Sequence, residues 1–226
     1  MISLALSFVL APQEPKMAIH IIAVLKTGTN QVPLAPDQGA KMQREHLGNL
    51  KWLVDRKKAL AVGPLDGAGD WRGLIVFQPD ITEEVAKASL ADDPFVKGGY
   101  LQIEVLKWYS QVDVFKPRTA GFLDLEAVTF GLLVRPKDAP TYPEAELAEI
   151  QKGHMANIIR MADAGWLAAA GPLASTSDLR GIFVFRGTDQ KQIREEVAKD
   201  AAIQKGRLEC RLSTWYVSKG VVPPAK

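Results

Sequence analysis

A single cysteine, Cys210, leaves the 226-residue chain without an intrachain disulfide framework and without any cysteine-rich zinc pattern. Charge of one sign is equally scarce. The 28 Lys and Arg are interspersed with 26 Asp and Glu, so the net charge of +2 forms no basic stripe and argues against nucleic acid as a partner. No apolar run approaches the roughly 20 residues of a transmembrane helix. The apolar stretch in "MISLALSFVLAPQEP", residues 1–15, lacks the basic flank of a secretory signal. It reads as an N-terminal extension or an extra edge strand, with a cytoplasmic protein favoured, or as the remnant of a processed export segment. No haem, flavin or nicotinamide motif occurs, "GPL" and "DGAGD" do not complete a phosphate loop, and no His/Asp/Glu grouping has metal-ligand spacing. The expectation is therefore no cofactor and no metal. What the chain does have is 47% apolar residues, enough for a substantial core.

The chain resembles itself at a fixed spacing. His46 matches His154, Asn49 matches Asn157, "GPL" at 63 matches "GPL" at 171, and Arg72-Gly73 matches Arg180-Gly181, all at a spacing of 108. Asp93 matches Asp200, and "WY" at 108 matches "WY" at 215, at a spacing of 107. So many special residues in one order indicate an internal duplication with one small indel. The division is an extension at 1–15, a first unit at 16–115, a linker at 116–123, a second unit at 124–220 and a tail at 221–226.

Each unit runs through the same periodicities. "MAIHIIAVL" is a β-type run, "DQGAKMQREHLGNLKWLVDRKK" has helical spacing, and "ALAVGPL" and "WRGLIVF" are short strands around a Gly-rich turn. "TEEVAKASLA" is a second helix with acidic residues in its first turn, and "YLQIEVLKWY" closes the unit as an alternating strand. The second unit repeats this order from "EAVTFGLLV" to "RLECRLSTWYV". The expected fold is α+β, two ferredoxin-like β-α-β-β-α-β units packed as a pseudo-dimeric α/β barrel. The helices cover one sheet face, the open faces meet within the chain, and a cleft lies between sheet and helices in each half.

Several repeated residues admit a structural or a ligand-binding role. Gly63 and Gly171 precede proline and mark strand ends, while Gly73 and Gly181 permit close backbone approach; as cleft-rim residues, all four are also candidates for ligand contact. Arg72 and Arg180 open equivalent strands, where they are either surface charges or holders of a substrate carboxylate or phenolate. In each "WY" pair one residue is expected in the core, since neighbours on a strand point to opposite faces. His20, aligned with Thr129, reads as local packing.

A histidine in the first helix, "GPL" on the second strand, a glycine starting the third, "DDPF" after the second helix and a Trp/Tyr-rich last strand together resemble the YCII-related family. The resemblance covers nearly the whole chain apart from the extension and the linker. It implies a ferredoxin-like α/β barrel and an active site made of a histidine-aspartate pair, in a family that includes a dehydrochlorinase acting on chlorinated hydroxyhydroquinone. Carried onto this chain, the pair is His46 with Asp93 and His154 with Asp200; the second unit departs from the pattern, with "KDAAI" in place of "DDPFV".

A carboxylate that accepts one imidazole N–H fixes the tautomer and raises the basicity of the other nitrogen. The resulting expectation is a cofactor-free lyase or isomerase of the dehydrochlorinase type, acting on a small acidic or aromatic molecule. The alternative is a non-catalytic binding or accessory protein, and whether the chain is an enzyme stays open. So does its assembly, as a monomeric intrachain pseudo-dimer or a higher homo-oligomer. Because Pro94 and Phe95 follow Asp93 where Ala201 and Ala202 follow Asp200, the first pair is expected to be the more firmly held.

Overall fold

The structure is a computed structural model that describes residues 16–175 and 177–224; the extension read from residues 1–15 lies outside the described residues. The first unit contains β1 (Met17–Thr27), α1 (Pro36–Asp55), β2 (Ala59–Asp66), β3 (Trp71–Phe77), α2 (Glu83–Leu90), α3 (Pro94–Lys97) and β4 (Leu101–Gln111). The second repeats it as β5 (Leu125–Val134), α4 (Glu144–Asp163), β6 (Leu167–Ala174), β7 (Leu179–Phe185), α5 (Gln190–Val197), α6 (Ala201–Gln204) and β8 (Glu209–Ser218).

The alternation in the strands explains the layers. On β1, Ile22 and Val24 point into one apolar cluster, while Ile21, Ala23 and Leu25 point into another with Leu50 and Leu53 of α1. The first cluster draws on both units and is the interior of a closed barrel with strand order β1-β3-β2-β8-β5-β7-β6-β4. The expected α+β barrel of two ferredoxin-like units is therefore the architecture observed. A third cluster, with Leu133, Met161 and Phe183, is the sheet-to-helix core of the second unit.

Closure happens at two antiparallel seams. At one, β2 meets β8 through Leu65↔Trp215 and Asp66↔Thr214; at the other, β4 meets β6 through Lys107↔Ala174 and Trp108↔Leu173. The two repeated motifs are the two sides of these seams. Trp215 Nε1 donates to the Gly63 carbonyl at 3.2 Å, and Trp108 Nε1 donates to the Gly171 carbonyl at 3.1 Å. A Cβ on Gly63 would stand 1.7 Å from the Tyr216 carbonyl oxygen, and one on Gly171 1.9 Å from that of Tyr109. Only glycine admits that approach.

This corrects the strand-end reading of Gly63 and Gly171. Both lie inside strands, which continue through the following proline and leucine. In each "WY" pair the tryptophan is buried in the barrel and the tyrosine points outward. Register also corrects the match of His20. His20 lies opposite Trp108 as Val128 lies opposite Trp215, so Val128, and not Thr129, is its counterpart.

Candidate functional site

The one-turn helices α3 and α6 are absent from the sequence reading, although Asp followed by Pro at 93–94 is a helix-start signal. Each begins at an aspartate that performs two tasks. Asp93 Oδ1 accepts from the Phe95 amide at 3.1 Å while its Oδ2 lies 2.7 Å from His46 Nδ1. Asp200 Oδ1 accepts from the amides of Ala202 and Ile203, at 2.9 and 3.4 Å, and its Oδ2 lies 2.7 Å from His154 Nδ1. A helix cap thus aims the carboxylate at a histidine on the long helix α1 or α4. Both carboxylates are buried, and both imidazoles are about nine-tenths buried (12% and 11% exposed).

For Asp93, burial works to raise the carboxyl pKa, but the His46 hydrogen bond, the His46 charge and the Phe95 amide outweigh it and hold the carboxyl below its usual range. The expectation that the second carboxylate is held less firmly is corrected. Asp200 accepts one more backbone amide than Asp93, because capping geometry, which needs no proline, supplies the restraint. The small residues of "KDAAI" also let the helices close up. Gly153 faces Ala201 so closely that a Cβ there would sit 2.6 Å from that of Ala201.

What stands beside each pair differs. In the first unit, Phe95 packs edge-on against His46, with ring centroids 5.5 Å apart and planes at 80°. In the second, Ala202 takes the place of Phe95, and a cavity of about 770 Å³ opens against α4, β6 and β7. His154 lines it and stacks on Phe183 with the planes at 23°. The remaining walls are largely apolar, with Leu133, Leu147, Ile150, Met155 and Ile158. Arg135, Arg180 and Arg207 line the same space, with Glu144 as the one acidic side chain among the described lining residues. Tyr109 and Met17 of the first unit complete it.

The other candidates read from the sequence separate accordingly. Gly171, Gly181 and Arg180 border the cavity. Arg180 Nη1 donates to the carbonyls of Ser177 and Leu179. Arg72 instead lies exposed with its Nε donating to Thr27 Oγ1 at 2.7 Å, Gly63 packs against the Tyr216 carbonyl at the seam, and Gly73 packs against the Gly63 carbonyl of the neighbouring strand. Arg135 and Arg207 are not among those candidates. The internal alignment contains the signal for both, since they replace Thr27 and Tyr100 of the first unit.

No family model and no curated protein matches the chain. Solved structures do. The chain is similar to a haem-binding protein from Thermus thermophilus, at 14% identity and a TM-score of 0.54, over 91% of this chain and 93% of that one. It is similar to a mutant chlorite dismutase from Candidatus Nitrospira defluvii (11% identity, TM-score 0.55, 90% and 92% covered). A putative monooxygenase from Fusobacterium nucleatum aligns with 11% identity and a TM-score of 0.54, over 92% and 97% of the two chains. The shared property is the ferredoxin-like pseudo-dimeric barrel. These likenesses overturn the expectation of a cofactor-free lyase or isomerase. The whole-chain fold is one that a haem-binding protein uses, so a histidine-aspartate pair set in it is no mark of cofactor-free chemistry.

Proposed function

We propose that the second unit binds a planar, largely apolar molecule with acidic groups, of the haem type, in the cavity lined by His154. The observation that carries this reading is the combination of a ligand-sized cavity with a histidine whose Nδ1 is committed to a buried carboxylate. That is the arrangement by which proteins orient a histidine toward a metal, because Nε2 is left as the coordinating atom.

The residues fit such a group on three counts. Nε2 of His154 has no hydrogen-bond partner among the described residues, and Asp200 fixes the ring and raises the basicity of that nitrogen. Phe183 and the aliphatic side chains of α4 exclude water from an aromatic face. Arg135 and Arg207, which form no ion pair among the described residues, supply charge for the acidic groups. When bound, haem would supply a redox-active iron able to take small ligands. The protein's own contribution is to hold the group, set its orientation and keep the face opposite solvent dry. The duplicated histidine-aspartate pairs and the "DDPF" segment also support kinship with YCII-related proteins, which this reading accommodates as a shared scaffold.

The test is titration of the purified protein with haemin, followed in the visible spectrum. One equivalent should bind with a histidine-ligated absorption band, lost in His154→Ala and kept in His46→Ala. A His154→Ala variant with the wild-type spectrum, or no saturable binding to the wild type, overturns the proposal.

A further inference from the structure

We infer that the first unit contains the same cleft closed by its own side chains, Phe95 and Tyr100, and that Ala202 and Arg207 are the residues that make the second unit selective for an anionic aromatic ligand. This rests on the reading above for the location of the site, but not on the ligand being haem.

The register of the duplication pairs Phe95 with Ala202 and Tyr100 with Arg207. In the first unit the two rings form a plug. Phe95 lies edge-on to His46, and Tyr100 lies edge-on to Phe95, with centroids 6.3 Å apart and planes at 90°. In the second unit both counterparts line the cavity. The space does not lie between the two helices, because α4 and α6 approach so closely at Gly153 that no Cβ fits against Ala201. The missing phenyl ring frees the part of it beside His154. Phe183, where the first unit has Ile75, takes back part of the volume and replaces an aliphatic wall with an aromatic one.

The second exchange changes the charge of the site. Tyr100 donates no positive charge to its neighbourhood, whereas Arg207 is a guanidinium at the cavity wall with no ion-pair partner among the described residues. Arg135 reinforces it. Its counterpart Thr27 is the hydroxyl that accepts the Arg72 Nε bond, so the exchange adds a cation to the cavity and removes that side chain's acceptor from Arg180. An aromatic ligand with a carboxylate or sulfonate is thus favoured over a neutral one of the same shape.

The experiment uses the full chain with 8-anilinonaphthalene-1-sulfonate, an aromatic anion, and N-phenyl-1-naphthylamine, its neutral analogue, followed by fluorescence and calorimetric stoichiometry. Wild type should bind one equivalent of the anion. Ala202→Phe should weaken both probes by about tenfold or more, and Arg207→Tyr should weaken the anion by about tenfold with little effect on the neutral probe. The Phe95→Ala/Tyr100→Arg double variant should bind two equivalents of the anion. Failure of the wild type to bind the anion, undiminished binding by Ala202→Phe, or equal loss of both probes in Arg207→Tyr overturns the inference. So does a stoichiometry of one in a double variant with an unchanged circular dichroism spectrum; should that variant not fold, the two second-unit variants decide. If this pattern holds while haemin does not bind, the haem reading falls and this inference stands.

Discussion

The two units of this chain share a histidine-aspartate hydrogen bond of the same length, 2.7 Å, but differ in what lies beside it: the ring of Phe95 in the first, and a cavity of about 770 Å³ in the second. Duplication has preserved the part of the site set by backbone geometry, a capping aspartate and a histidine one helix away. It has let the space next to that pair diverge, through Phe95 and Tyr100 on one side and Ala202 and Arg207 on the other. The orienting bond and the room for a ligand are therefore separable properties of this fold. A buried pair of this kind is a structural tie as well as a candidate for chemistry, because breaking it strands a desolvated charge in either unit.

Three measurements test how far the resemblance between the units extends. The largest effect is expected where they are most alike. Gly63→Ala and Gly171→Ala each drive a methyl group into a backbone carbonyl across a seam, and each should destabilise the barrel by about 3 kcal/mol or more in urea denaturation. A small loss at one seam and a large one at the other would break the symmetry of closure.

The middle effect concerns the aspartates. Asp200→Asn should cost more than Asp93→Asn, each on the order of 1–3 kcal/mol, since Asp200 anchors two backbone amides and Asp93 one. The Asp93 carboxyl is lower in the folded chain than its unfolded value near 3.9, so its contribution is fully present above about pH 4. It is lost as the pH falls through the folded value. The stability gap between wild type and Asp93→Asn should accordingly shrink on acidification below about pH 4. A gap that grows in acid would contradict the assignment.

The smallest effect is a rate. Cys210 lies in the sheet-to-helix core of the second unit, where burial pushes its thiol up to about 12, and its counterpart in the first unit is Ile103. Alkylation at neutral pH should be far slower than for a free thiol and should report local opening of the second unit alone. Labelling at the rate of the urea-unfolded chain would show that this unit is open in solution.

Much of the fold is legible in the sequence because the duplication presents each element twice. Strand alternation and helical spacing place all eight strands and the four longer helices, and the open faces of two sheets require a barrel. The pairing of each histidine with its aspartate comes from family resemblance. Spacing alone does not indicate that a four-residue helix at 94–97 or 201–204 turns the carboxylate back toward the long helix. The glycines mislead for a related reason. Gly-Pro resembles a strand end when read locally, and only the backbone carbonyl of Tyr216 across one seam, or of Tyr109 across the other, explains why the Cβ is missing. The cavity is illegible because Pro94 and Phe95 read as restraints on a carboxylate. The phenyl ring is also an occupant of the space in which a ligand would sit.

The seam bond from Trp215 to Gly63 has a consequence for the chain during its synthesis. The two partners are 152 positions apart, so at roughly 5–20 residues per second the outer edge of β2 waits on the order of 8–30 s before β8 exists to cover it. Throughout that interval the first unit can complete its own sheet but not the ring. Pro64 stands on this waiting edge, with no N–H to offer a passing strand.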